Sequence, residues 1–508
     1  MRKRQSDAVI AAQEKHSKPL QTSSKSNAVS PYQTVEEERE ARLEAVTGQL
    51  RILKSQLPCL LKRLEKIPDP RQPRKTKHKF SVLMLYGLLM FVFQFPSRRN
   101  VNEVMTNPQF IENLRLLFPE IDALPHADTL FRLLQKIDVS HLEEAHIDII
   151  QHFIRNKKFR RYLINNCYPI AIDGTQKLAA HECWCEELLQ RKTKKNPSTE
   201  KGATHESAST REPVADDQEN YQYYIYVVEA NFSFQNGLVI PLLSEFLEFE
   251  KGDINHNKQD CENRGFKRLC ERLNKLFPKL AIMLLLDGLY ANGPILACCQ
   301  SYHWQFMIVL KDNSLPSVWE EFRELKKGAL DNRISQRWGK RLQDFQWVND
   351  IEYYYGPNQS QKITVHVVVC NEQWEEINTQ GEVITKHSRH AWLSSRALNK
   401  DNIHERCNLG ARYRWGIESC ILVEKHQGYH YEHCFAKDWN ALRGYHYLMR
   451  MAHLFNTLAR FSTVLSSFYR RLGVEGFIRF VRDTIAAPWL DREQTVNRMN
   501  QSFQLRLE

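Results

Sequence analysis

Apolar residues recur three or four positions apart through the first third of the chain, a spacing typical of amphipathic helices. The segment from His126 to Leu134 is one example, in which a polar start can cap a helix with three leucines. The apolar stretch Phe80–Phe95 has 16 residues, fewer than the roughly 20 that a membrane-spanning helix needs. It predicts a buried core helix. We therefore predict a flexible polar tail over residues 1–45 and an all-helical domain over 46–165, which could bind DNA.

The pattern changes near residue 168, where short runs rich in β-branched and aromatic residues predict strands. Three strands come first, and a helix, a strand, a helix and a strand follow. The first three strands favour antiparallel pairing, whereas the helical crossovers favour parallel pairing. This order matches the ribonuclease H-like arrangement, so we predict an α/β fold with a mixed sheet. The five runs are Tyr168–Gln176, Tyr221–Ser233, Gly237–Phe249, Lys279–Tyr290 and Trp304–Lys311.

A segment of alternating polar and apolar residues interrupts this core and predicts a β-rich insertion. The predicted parts are a first core segment (166–312), the insertion (313–400), a second core segment (401–465) and a C-terminal helical segment (466–508). Within the first core segment, a long hydrophilic stretch from Lys192 to Asn220 predicts a surface loop.

The composition adds a preference for a polyanionic partner. The 508 residues carry a formal net charge of +11, and nucleic acid is the usual partner of such a basic surplus. The polar amino terminus has no apolar core of a secretory signal, so the twelve cysteines are expected to be reduced thiols in a cytosol. The chain contains no phosphate-binding loop of the G-x-x-x-x-G-K type, so no nucleotide hydrolysis is implied.

Two Asp-Gly pairs follow apolar strands. Asp173 is expected at the end of the first strand and Asp287 at the end of the fourth, which are neighbours in the predicted order. Because functional groups gather at strand carboxyl ends, the two carboxylates are expected side by side. The alternative is that each Asp merely begins a turn. Paired carboxylates repel unless a cation joins them, and Mg²⁺ prefers such oxygen ligands.

A helix near residue 420 offers a third acid. At 100° per residue, Glu418 shares a face with Arg414 and Lys425, whereas Glu424 lies about 120° away. Glu418 is therefore the candidate metal ligand, and Glu424 is expected to be a surface or structural residue. A simple surface pair between Arg414 and Glu418 is the alternative. The apolar neighbours of this helix, including Trp415, indicate that it packs against another element.

Together these motifs resemble the DDE transposases of bacterial insertion sequences, in the broad IS4-like group with a ribonuclease H-like core. The resemblance rests on I-D-G-T at Asp173, L-L-L-D-G-L-Y at Asp287, and the Arg, Glu and Lys spacing of the group's Y-R-E-K signature from Arg414 to Lys425. The insertion before the third acid adds to it. The signature's tyrosine would fall on Ala411, so the chain departs from the pattern there.

The resemblance implies a catalytic, metal-binding triad of Asp173, Asp287 and Glu418 holding two Mg²⁺ ions, for which Mn²⁺ can substitute. It also implies that Arg414 and Lys425 contact DNA phosphate. The expected reaction is DNA strand cleavage at the transposon ends, followed by transfer of the freed 3′ hydroxyl to target DNA.

Two residues beside the signature residues, Tyr413 and His426, are further DNA-binding candidates. The implied partners are transposon-end and target DNA, with a homodimer on DNA and no membrane, in a bacterial cytoplasm and associated with the nucleoid. Two alternatives stay open: a catalytically inactive, transposase-derived DNA-binding protein, and a ribonuclease H-like DNA nuclease without strand transfer.

One further metal site is conceivable from the sequence. His181, Cys183 and Cys185 lie close together and could hold zinc with His205. Their C-x-C spacing is not the usual C-x₂-C, and no second cysteine pair follows nearby.

Overall fold

The computed structural model describes residues 30–64, 66–119, 121, 123–192, 221–248 and 258–508, without the side chains of 258–261. Residues 1–29 of the predicted polar tail lie outside these ranges, as do residues 193–220 of the predicted surface loop. The prediction of a flexible tail is wrong for residues 35–45, which begin the helix Val35–Leu64 and bury Leu43 and Ala45. The described chain forms a mixed α/β structure with thirteen α-helices and a large mixed sheet.

Before the sheet, the regular secondary structure of the described chain consists of α-helices and short 3₁₀ turns, as the spacing of apolar residues predicted. The six helices are α1 (Val35–Leu64), α2 (Phe80–Val92), α3 (Arg98–Met105), α4 (Pro108–Leu117), α5 (Ala127–Leu134) and α6 (Ser140–Arg155). The predicted cap is present, since the His126 side chain accepts a hydrogen bond from the Asp128 amide at the start of α5. In α2, every residue from Leu83 to Val92 is buried, which confirms a core helix. Among the described helices, none has the length and apolar character needed to cross a membrane.

The remaining elements alternate between strands and helices before the chain ends in helices. The strands are β1 (Tyr168–Ala180), β2 (Leu189–Lys192), β3 (Tyr221–Ser233), β4 (Val239–Leu247), β5 (Ile282–Leu286), β6 (Gln305–Val309), β7 (Arg333–Trp338), β8 (Arg341–Tyr355), β9 (Gln361–Ile377) and β10 (Val383–Ser394). The helices are α7 (Lys258–Leu276), α8 (Gly293–Ser301), α9 (Pro316–Gly328), α10 (Trp415–His426), α11 (Trp439–Arg460), α12 (Ser466–Ala486) and α13 (Arg492–Asn500).

Strands β4, β3, β1, β5 and β6 lie side by side in that order. β1 is antiparallel to β3, and β3 is antiparallel to β4. β5 is parallel to β1 and to β6. The carboxyl ends of β1, β5 and β6 therefore point toward the same edge of the sheet.

One predicted strand boundary is wrong. Asp173 is not at the end of β1, because this strand continues to Ala180. The continuation pairs with β3, where Asp173 is the register partner of Glu229. On its other side β1 pairs with β5 only as far as Ile172, opposite Leu286. Asp173 therefore follows the last residue of the parallel ladder, although it does not end its own strand.

The predicted β-rich insertion does not form a separate sheet. β10 pairs antiparallel with β6, and β9, β8 and β7 follow outward in that order. The ten strands thus form a single continuous sheet. As a result, the insertion extends the core sheet on the side of Asp287 and builds one wall of the cavity described below.

The amino-terminal helices and the sheet share one hydrophobic core. Its buried residues include Leu53 of α1, Phe91 of α2, Ile172 of β1 and Leu454 of α11. The predicted all-helical region therefore packs directly on the rest of the chain, mainly through α11. A smaller core on the other face of the sheet includes Ile417 of α10.

Helix α10 is reached through an unusual turn. A π-helical segment, His404–Gly410, passes into a 3₁₀ turn, Ala411–Arg414, before α10 begins. Arg406 in the π-helical segment is buried and donates hydrogen bonds to the Gln305 side chain and the Phe306 carbonyl of β6. This contact ties the start of the signature region to the sheet.

Candidate active site

Three acids from three separate elements line one cavity of about 1000 Å³. They are Asp173 of β1, Asp287 immediately after β5 and Glu418 in the first turn of α10. The adjacency of the two aspartates follows from the parallel pairing of β1 with β5. Glu418 joins them because α10 packs against β1 and β3.

Arg414 lies among the three acids and is itself almost fully buried. Its Nη2 atom lies 2.8 Å from Glu418 Oε1 and 4.0 Å from Asp287 Oδ1. Its Nε and Nη1 atoms are buried and have no hydrogen-bond partner. Because an unpaired buried donor is costly, these two groups are suited to an anionic oxygen entering the cavity.

The two aspartates differ in their electrostatic surroundings. Burial raises the pKa of Asp173 to about 6, and the nearby Glu418 and Asp287 carboxylates add to this against Arg414 and the Gly174 amide. Burial also opposes the charge on Asp287, but a hydrogen bond from Lys311 at 3.0 Å, the Gly288 amide and Arg414 together lower its pKa. Burial therefore outweighs Arg414 at Asp173, whereas the partners of Asp287 outweigh burial there.

The donor set fits a hard divalent cation. Carboxylate oxygens are the ligands that Mg²⁺ prefers, and a cation between them would relieve the carboxylate repulsion that adds to the effect of burial on the Asp173 pKa. Asp173, Asp287 and Glu418 would be its ligands. Asp287 also caps the 3₁₀ turn Gly288–Tyr290 by accepting a hydrogen bond from the Leu289 amide. Asp287 therefore also begins a turn, which was the alternative role predicted from the sequence. Asp173 caps no turn, and its Oδ1 accepts a hydrogen bond from the Gly174 amide within the strand.

The cavity also collects cations that the sequence did not single out. Its lining includes Lys311, Arg341, Arg389 and Arg412. The position of Lys311 near Asp287 could have been predicted from the sequence, because Lys311 follows β6, whose carboxyl end lies at the same sheet edge as Asp287. The arginines come from the insertion and from the turn before α10, so only the tertiary structure brings them together.

The predicted DNA-binding residues separate into two groups. Tyr413 and Arg414 line the cavity. Lys425 and His426 do not belong to its lining: Lys425 Nζ donates to the Gln176 carbonyl at 3.1 Å and pairs with Glu432 at 2.8 Å, and His426 is exposed at the end of α10. Lys425 thus holds α10 against β1 in this conformation.

Helix α10 packs against the rest of the chain, as its apolar residues predicted, through Ile417 and Ile421. Trp415, one of the residues behind that prediction, is 61% exposed, and Leu422 is 54% exposed. Ala411, at the expected position of the signature tyrosine, is buried and lines the cavity. Trp415 instead stands beside Arg414, whose guanidinium lies 4.6 Å from the ring centre.

Glu424 is a structural residue, one of the two roles the helical pattern allowed, and it is completely buried. Its carboxylate accepts hydrogen bonds from Arg450 Nη1 at 3.0 Å and from His453 Nδ1 at 2.6 Å. Arg450 also contacts Glu229 and Asn231 of β3. Since Asp173 is the register partner of Glu229, this network connects the helix of the third acid to the strand beside the first.

Other predicted contacts and metal ligands end in different surroundings. Tyr429, three residues after His426, is buried, and its hydroxyl accepts a hydrogen bond from the Asn456 side chain. The conceivable zinc ligands His181, Cys183 and Cys185 do not form a metal-holding group in the described structure, and His205 lies outside the described residues.

Residues 61–150 match the family model described as DDE_Tnp_1-associated. No curated protein matches the chain. The matched residues cover helices α2 to α5 with parts of α1 and α6, and they lie before the cavity residues in the sequence. This match indicates a DDE-type transposase family and a transposase-related function.

Proposed function

We propose that this protein is a transposase that cleaves DNA strands at the ends of an insertion sequence and joins them to target DNA. The observation that carries the proposal is the cavity in which Asp173, Asp287 and Glu418 surround Arg414 with its two unpartnered donors. Oxygen ligands for metal and a buried cation for phosphate are the two requirements of phosphoryl transfer.

The strand order supports a ribonuclease H-like core. Three antiparallel strands, β1, β3 and β4, are followed by β5 and β6, which lie parallel to β1 on its other side. Asp173 lies on β1 and Asp287 directly follows β5, which is compatible with the two aspartates that the resemblance implies.

Two Mg²⁺ ions bound by the acids would activate a water or a 3′ hydroxyl and stabilise the leaving oxygen. In the proposed reaction, Asp173 and Asp287 hold their carboxylates at the sheet edge, and Glu418 closes the site from α10. Arg414 donates from Nε and Nη1 to the scissile phosphate. Lys311, which pairs with Asp287 in this structure, would offer a further cation to the DNA backbone.

The substrate follows from the same surface. The net charge of +11 and the cations lining the cavity suit the DNA backbone. We further propose a homodimer on paired transposon ends, in the bacterial cytoplasm and associated with the nucleoid.

Cleavage assays with purified variants test this function. The DNA should carry the sequences that flank the coding region, and Asp173→Asn, Asp287→Asn and Glu418→Gln should each abolish Mg²⁺-dependent cleavage while DNA binding is retained. Asp312→Asn is the matched control. Asp312 lines the same cavity, but its side chain is exposed and pairs with Arg389 instead of Arg414. Normal cleavage by any of the three variants would contradict the triad.

The same assay separates the alternatives. Cleavage without joined products would indicate a nuclease that lacks strand transfer. DNA binding without cleavage by the unaltered protein would indicate an inactive DNA-binding protein.

A further inference from the structure

A second group of possible metal ligands lies where α10 meets α11. Cys420 and Glu424 are one helical turn apart on α10, and His453 faces them from α11. The three donor atoms all lie within 4.8 Å of one another, and all three residues are buried. It is the one group of this kind found among the residues that the structure describes.

The donor types differ from those of the candidate active site. A thiolate, an imidazole and a carboxylate form a mixed set that suits Zn²⁺, whereas Mg²⁺ prefers oxygen ligands alone. We propose that Cys420, Glu424 and His453 bind one Zn²⁺ ion, which joins α10 to α11. The proposal does not depend on the transposase reaction, because none of the three residues lines the cavity of the three acids.

The surroundings leave room for a fourth ligand. A separate cavity of about 70 Å³ is lined by Cys420 and His453. This volume exceeds the roughly 10–15 Å³ that a water molecule requires. A water from this cavity would complete the four-coordinate geometry that zinc usually adopts.

Arg450 is compatible with an ion at this position. It donates from Nη1 to both oxygens of Glu424, at 3.0 and 3.3 Å. When Oε1 binds the ion, Arg450 keeps its contact with Oε2 and orients the carboxylate, as outer partners of metal ligands commonly do. Glu229 continues to balance the Arg450 charge at 3.2 Å.

Metal binding at this site releases one proton for each ion. Burial and the nearby Glu424 raise the pKa of the Cys420 thiol, so the sulfur carries its proton until the ion replaces it. His453 binds through Nδ1 with its proton on Nε2, and Glu424 binds as a carboxylate. The hydrogen bond from His453 to Glu424 is exchanged for two bonds to the ion.

Cobalt substitution provides the test, because a thiolate bound to Co²⁺ gives a charge-transfer band in the near ultraviolet. Full-length protein is dialysed against a chelator and titrated with Co²⁺ and then with Zn²⁺. We expect about one Co²⁺ per chain with a thiolate band that one equivalent of Zn²⁺ removes. Cys420→Ser should lose the band, and Cys298→Ser should keep it, since Cys298 lies outside the group on α8.

Two further variants make the outcome decisive. His453→Gln should also lose the band, so the result does not depend on one variant that fails to fold. Asp287→Asn should keep it, which separates this site from the proposed magnesium centre. A folded, unaltered protein without a thiolate band, or an unchanged band in Cys420→Ser, would overturn the proposal.

Discussion

Arg450→Met removes the buried arginine that joins Glu424 of α10 to Glu229 of β3. Arg450 is 3% exposed and contacts Glu424, Glu229 and Asn231. Without it, Glu229 and Glu424, both fully buried, lose the arginine that pairs with each of them. Removing one partner of a buried ion pair costs about 3–5 kcal/mol, so we expect a loss of that size in the free energy of unfolding at pH 7.

The loss should depend on pH in a defined direction. Burial raises the pKa of Glu424, but Arg450 and His453 outweigh it and hold this pKa below its usual value. Glu424 therefore stabilises the wild-type fold above the pKa of the unfolded chain, and this contribution is lost as the pH falls through the folded pKa. Without Arg450 the carboxylate takes up a proton more easily, so the variant should lose less relative to wild type at pH 5 than at pH 7.

Urea unfolding followed by tryptophan fluorescence and circular dichroism measures the effect. Arg479→Met is the matched control, since Arg479 forms an exposed pair with Glu475 on α12, and such pairs contribute about 1 kcal/mol or less. The double variant Arg450→Met with Glu424→Gln should recover part of the loss. An Arg450→Met protein within about 1 kcal/mol of wild type would show that Arg450 does not stabilise the buried carboxylates, because breaking a buried ion pair should cost more.

Two other substitutions test a close contact beside Asp173 and a buried histidine. Gly174→Ala would place a methyl group 2.6 Å from the Tyr226 ring and 3.0 Å from Glu262 Oε1, so we expect reduced DNA cleavage and lower stability. In the control Gly328→Ala, the new methyl group meets no atom within 4 Å, and neither property should change. His146→Gln tests pH dependence: burial lowers the His146 pKa to about 4, so only the unfolded chain gains this proton as the pH falls below about 6.5. Between these two pKa values, wild-type stability should therefore fall by up to roughly 1.4 kcal/mol per pH unit more than that of the variant as the pH is lowered. Equal slopes in urea unfolding would contradict this expectation.

The proximity of Asp173 and Asp287 could be predicted from the sequence, because the apolar runs and the order of the elements were visible there. Each residue follows an apolar run that forms a strand, and the order of strands and helices favoured parallel neighbours. The length of β1 beyond Asp173 could not be predicted in this way. It depends on pairing with β3, more than forty residues later in the chain.

The contacts of the two glutamates of α10 could not be predicted from the helical pattern. The pattern compared charges on α10 alone and therefore assigned Lys425 to the face of Glu418. In the structure, Lys425 instead contacts β1, and Glu424 finds Arg450 on α11. The partners of a buried charge come from other elements, so its environment cannot be derived from its own helix.

Anomalous diffraction from crystals grown with Mn²⁺ and transposon-end DNA would locate the metal ions themselves. We expect two peaks about 4 Å apart, in contact with Asp173, Asp287 and Glu418. We also expect a DNA phosphate between the ions and Arg414. Peaks at other residues, or three carboxylates that share no ion when DNA is bound, would contradict the proposed triad.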